Sequence, residues 1–245
     1  MIKKLSDQKN FYLIFFLIFL VHLTSINFHP TNFEGGYGAF ANFFDQKNKH
    51  SYVKEYFNSQ FNSYFFSFLG SLINKLLPFI DGFQSIKLIS ASSYFFLGLG
   101  ILNILNFFNF KNNRIFFLLI VFFNSIIWSY GFRAFNDLFA YSTSIYFFSR
   151  ILIAKKSNSI YLNSLFLGIT TIIKSYNLIF LIPLFFLIIQ RNKKKIIFKI
   201  SKIFLLIILP FLIYHLLIFH YFDFFLAPEN QDLQVAIFGN DKNRN

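Results

Sequence analysis

The sequence predicts an all-α polytopic membrane protein, with about seven transmembrane helices and amphipathic interfacial helices in the first outer loop. Three observations carry this expectation. First, 56% of the 245 residues are hydrophobic, 13% are charged, and the mean hydropathy is +0.53. A soluble domain has roughly 45–50% apolar and about 25% charged residues. Second, the apolar residues gather in runs of about 17–25, the length a helix needs to cross the hydrocarbon core. Third, the net charge of +13 is not spread along the chain but falls on alternate connecting segments. With 42 Phe, one soluble core could not hide the apolar surface. A soluble enzyme, a disordered chain and a collagen-like rod are excluded. The preference for Phe, Ile and Lys reads as AT-rich coding bias and carries no function. Cys is absent, so disulfides, thiolate metal sites and a Cys nucleophile are excluded as well.

The predicted spans are residues 11–28, 86–108, 115–131, 138–154, 159–173, 175–190 and 198–222. The first follows Lys3 and Lys4 as a signal peptide would, but its apolar run is long and no small-residue cleavage site follows, so it reads as a retained helix. Residues 61–80 are apolar but interrupted by Asn62, three serines, Asn74, Lys75 and Pro78. They are expected to lie on the outer leaflet as one or two amphipathic helices. Residues 159–190 could form one helix, but Lys174 would then sit near the membrane centre at high cost. Two helices with Lys174 in an outer turn avoid that cost.

With the N-terminus in the cytoplasm, the inner segments collect 14 of the 23 basic residues and one acid, Asp7. They include Arg150, Lys155, Lys156, Arg191 and Lys193 to Lys195. The outer segments sum to zero. The basic excess is therefore a topology signal under the positive-inside rule and not a nucleic-acid footprint.

The polar chemistry falls outside. An outer loop of 57 residues, 29–85, opens with HPTNFEGGYGAF, in which Glu34 is the one carboxylate and Gly35, Gly36 and Gly38 permit close backbone approach. Alternatively this is a flexible loop with a solvated acid. GFRAFNDLFAYS, 131–142, places Arg133 and Asp137 at i and i+4, on one helix face, with Asp137 favoured by the dipole at the helix start. The plain alternative is a cap and a salt bridge. TTIIKSYNLIF, 170–180, sets Lys174 between two apolar helices, where it either meets an anion or reaches the headgroups. His215, His220 and Asp223 read as interfacial rather than as metal ligands. No HExxH, P-loop, GxSxG or EF-hand pattern is present.

In this order, FEGGYGAF, FRAFNDLFAYSTSIYFF and ITTIIKSYNLIFLIPLFF resemble the GT-C superfamily of membrane glycosyltransferases, which includes the protein O-mannosyltransferases and the aminoarabinose transferases. GFQSIKLISASSYFFLGLGI looks like that superfamily's second helix, and the resemblance covers roughly residues 11–222. The family's acidic pair in loop 1 is here Phe33-Glu34, with one acid. The resemblance implies a sugar moved from a polyprenyl-phosphate donor to a glycan, lipid or protein acceptor at the outer face, with inversion. It implies Glu34 as base, Lys174 and Arg133 on the donor phosphate, and Tyr37 and Tyr176 stacking on sugar. Asp137, the second catalytic acid, orients Arg133 or helps hold a divalent metal, the one cofactor considered. The expected location is the bacterial inner membrane, with the N-terminus cytoplasmic and the site periplasmic. Residues 1–222 then form the transmembrane module, and 223–245 a polar tail at which a longer family chain is expected to be truncated. The rival readings are a transporter or flippase and an inactive scaffold.

Overall fold

Asp81 opens the longest buried apolar run. Its carboxylate accepts from the Gln84 backbone N–H at 2.7 Å, and the Gln84 side chain returns a bond to the Asp81 N–H. This capping box fixes the start of a helix. The same helix ends in a Schellman turn: Phe110 N–H donates to Leu105 O and Asn109 N–H to Asn106 O. Asn109 takes the left-handed conformation there, with φ 61.

The structure is a computed structural model, and it describes residues 2–27, 41, 64–110, 121–122, 124–125, 127–128, 136–191 and 196–222. The described residues are all-helical, with no strand among them. The helices are α1 (Ile2–Leu23), α2 (Tyr64–Leu76), α3 (Gly82–Phe107), α4 (Asn136–Ile153), α5 (Ser157–Ile173), a 3₁₀ helix (Ser175–Phe180), α6 (Leu181–Arg191) and α7 (Ile196–Phe222). Two are long and apolar enough to cross a membrane, Gly82–Phe107 and the 200–217 portion of α7.

The described helices overlap six of the seven expected segments, with two differences. The first helix stops at Leu23, where Thr24 and Ser25 fold their hydroxyls back onto the Val21 and His22 carbonyls. The sixth segment begins as 3₁₀ and becomes α-helical at Leu181, which leaves Pro183 in the first turn where its missing N–H costs nothing. The seventh segment is one helix with Pro210 inside it. The third predicted span, 115–131, lies mostly outside the described residues.

Helix ends sort into two layers. At one end, Ile86 and Ile89 of α3, Ala140 of α4 and Ile173 of α5 form a cluster with Phe66 of α2 and Ala41. The end of α1 joins them there, because Gln84 Nε2 donates to Asn27 Oδ1 at 2.9 Å. At the other end, Ile151 and Leu152 of α4, Ile160 of α5 and Ile203 of α7 pack together, with Ile104 and Phe107 of α3 against them. Helices α3 and α4 thus run in the same direction, α5 runs opposite to both, and α7 runs parallel to α5. The short α2 packs at the first end, with Phe66 in that cluster and Gly70 facing Ile86.

Helix α4 is the central element and the most polar. Its buried Ser142, Thr143 and Ser149 donate to carbonyls of their own helix, Leu138, Phe139 and Tyr146. Such back-bonding satisfies a hydroxyl without a partner helix. Ser144 instead meets Thr170 Oγ1 of α5 at 2.5 Å, and Asn103 of α3 donates to Ser149. Close helix approach depends on glycine at one place above all. A Cβ on Gly168 would stand 2.5 Å from the Ile207 carbonyl oxygen and 2.9 Å from that of Leu206. Pro210 has no N–H to offer the Leu206 carbonyl four residues earlier, so α5 packs where α7 has an open backbone acceptor.

Candidate functional site

Lys174 breaks the chain between α5 and the 3₁₀ helix. Its backbone is extended, at φ −146 and ψ 115, while its N–H still reaches Thr170 O and its carbonyl accepts from Asn177 N–H. Both ends of the residue are thereby anchored, and the side chain is delivered to the start of α4. There Lys174 Nζ stands 3.5 Å from Asp137 Oδ1, and the Tyr176 hydroxyl donates to the same oxygen at 3.1 Å. Asp137 lies in the first turn of α4, where the helix dipole favours its negative charge.

The pair is open. Lys174 is 17% exposed and Asp137 37%. A partly solvated pair of this kind contributes about 0–1 kcal/mol. It is therefore poor structural glue, and both charges remain accessible to a ligand. The Tyr176 ring is half exposed.

Beside this pair lie two amides that sequence reasoning did not single out. Asn136 is 0% exposed, and neither its Oδ1 nor its Nδ2 has a hydrogen-bond partner. Asn177 is 1% exposed; its Nδ2 makes one long bond, 3.4 Å, to Thr170 O, and its Oδ1 has no partner. Each orphaned buried polar group costs about 1–3 kcal/mol. The available signal was an Asn at each edge of an apolar run, next to a charged or aromatic candidate.

A third addition is Lys87 in the first two turns of α3. It is 5% exposed, donates to Ser25 O at 2.8 Å, and lies 5.2 Å from the centre of the Phe83 ring. It places a buried cation where the chain leaves α1 for the loop carrying Glu34. As the one charged residue in the predicted span 86–108, it was open to detection.

Three of the six sequence-predicted site residues, Asp137, Lys174 and Tyr176, are brought together. Glu34, Tyr37 and Arg133 lie outside the described residues. No group of three or more metal-ligating side chains occurs among the described residues. The carboxylate of Asp81 is engaged in its own helix cap.

An apolar groove of about 520 Å³ runs between α2, α5 and α7. Its walls include Phe65, Ile169, Ile172, Pro210, Ile213 and Tyr214. Ile172 is two residues before Lys174, so the groove approaches the end of the molecule that carries the charged cluster. His215 is buried, with its ring 4.2 Å from that of Phe211.

No family model matches the chain, and neither a curated protein nor a solved structure matches it.

Proposed function

We propose that the chain is a seven-span membrane protein that transfers a sugar from a polyprenyl-phosphate donor at the outer membrane face. The spanning reading is supported by large apolar side chains left outward on several helices, among them Leu13, Leu17, Ile182, Phe186, Leu205 and Leu216. Water would not tolerate so continuous an apolar exterior, and lipid does. It is also supported by the layers of helix ends. Arg150 in the last turn of α4, and Lys155 and Lys156 just beyond it, stand at the end of α4 opposite to Asp137, and Lys202 lies near the start of α7, over the Tyr161 ring. Cations at one end and the mixed polar cluster at the other follow the positive-inside rule.

The observation that carries the transferase reading is the placement of Lys174: 3.5 Å from Asp137, and two residues along from a wall of the apolar groove. A charged cluster beside an apolar groove suits a ligand with an anionic head and a hydrocarbon tail. In the reaction, an acceptor hydroxyl attacks the anomeric carbon and the bond from that carbon to the phosphate oxygen breaks. Polyprenyl phosphate leaves with the bonding electrons, and the hydroxyl proton passes to Glu34. Lys174, with Arg133, stabilises the charge gathering on the departing phosphate. Attack from the face opposite the phosphate inverts the anomeric centre.

The test is turnover. Purified protein in lipid nanodiscs, given a mannosyl polyprenyl phosphate and a mixture of glycan, lipid and peptide acceptors, is expected to release polyprenyl phosphate. Binding of that lipid with no release under any acceptor would favour a transporter or scaffold instead.

A further inference from the structure

We infer that Asn136 reads a sugar hydroxyl of the ligand held at Lys174 and Asp137; this rests on the transferase reading above. Asn136 directly precedes Asp137, and its side chain is fully buried with both amide atoms unpaired. Native proteins rarely leave a complete carboxamide unsatisfied, and each such group calls for an explanation. The chemistry of the vacant atoms narrows the ligand. Asn136 Nδ2 needs an acceptor, whereas Asn136 Oδ1 and Asn177 Oδ1 need donors. A phosphate dianion accepts but does not donate, so it meets one of the three requirements. A sugar, whose hydroxyls both donate and accept, meets all of them.

The way in passes through the Asp137–Lys174 pair. At 3.5 Å and partly solvated, this pair parts easily. When a lipid phosphate draws Lys174 away from Asp137, the start of α4 that carries Asn136 opens to the sugar attached to that phosphate. The phosphate is then bound by charge and the sugar selected by amides. A pocket built to hydrogen-bond a hydroxyl discriminates strongly against a ligand that lacks it.

The experiment uses the full chain in nanodiscs and two probes, a polyprenyl phosphate and the same lipid carrying a mannosyl group. Asn136→Leu is expected to weaken binding of the mannosyl lipid about tenfold, the loss of one net hydrogen bond to a ligand. Binding of the bare lipid should stay within about twofold, while Lys174→Ala should weaken both. Without ligand, Asn136→Leu is expected to raise the unfolding temperature, because an unsatisfied amide is replaced by an apolar side chain of the same branched shape. Asn136→Ala serves as a second variant should Leu pack badly. A lowered unfolding temperature in both variants would show that the amide is already paired inside the protein, overturning the inference. So would an equal effect on the two lipids, or none. Failure of the wild type to bind either lipid would overturn the donor reading itself.

Discussion

Glu34→Gln is expected to abolish sugar transfer while the protein still inserts in the membrane. The substitution keeps the size and hydrogen-bonding outline of the side chain but removes the group that takes up a proton. General-base catalysis contributes typically about 10²–10⁴-fold, so the loss in turnover should fall in that range. Glu34 is the one acid between Asp7 and Asp45, and no neighbouring carboxylate in the sequence can take over. Two measurements check this together: release of polyprenyl phosphate by the purified variant, and its recovery in the membrane fraction. Near-full activity would move the base elsewhere, with Asp137 the next residue to test.

Lys174→Ala is expected to raise the KM for donor by about 10-fold or more, with a smaller change in kcat. A hydrogen bond to a charged group contributes about 1.5–3 kcal/mol, which corresponds to about 10- to 150-fold in binding. The variant also leaves Asp137 without its cation, so a nearby carboxylate repels the donor phosphate. Lys174→Arg should recover part of the loss, because charge is retained while the shape of the head changes. Bare polyprenyl phosphate should inhibit the wild type competitively and the Ala variant poorly. An unchanged KM would remove Lys174 from the phosphate site.

Much of the fold was legible in the sequence because apolar run length and the distribution of Lys and Arg report directly on helices and their ends. The break at Lys174 was legible for the same reason: a lone cation inside a long apolar stretch is costly there, and the chain turns instead. The 3₁₀ start after Lys174 was not legible, since it depends on local hydrogen bonds such as Asn177 N–H to Lys174 O. The meeting of Asp137 with Lys174 was implied only by order and sidedness. Its partner by helical spacing was Arg133, whereas the described contacts of Asp137 are to Lys174 and Tyr176. Spacing within one helix reports on neighbours along that helix, and contacts between elements are set by packing. Asn136, Asn177 and Lys87 escaped notice because a polar residue at the edge of an apolar run looks like an ordinary boundary. Their burial is a property of the folded ends of α3, α4 and the 3₁₀ helix.

The claim on which the rest depends is that three separated segments share one membrane face. The chain has no Cys, so single Cys residues at positions 34, 137, 174 and 194 can be labelled in whole cells with an impermeant thiol reagent. Labelling at 34, 137 and 174, with 194 protected until the membrane is opened, is the predicted result. Protection at 137 or 174 while 34 reacts would separate the residues across the bilayer and contradict a shared site.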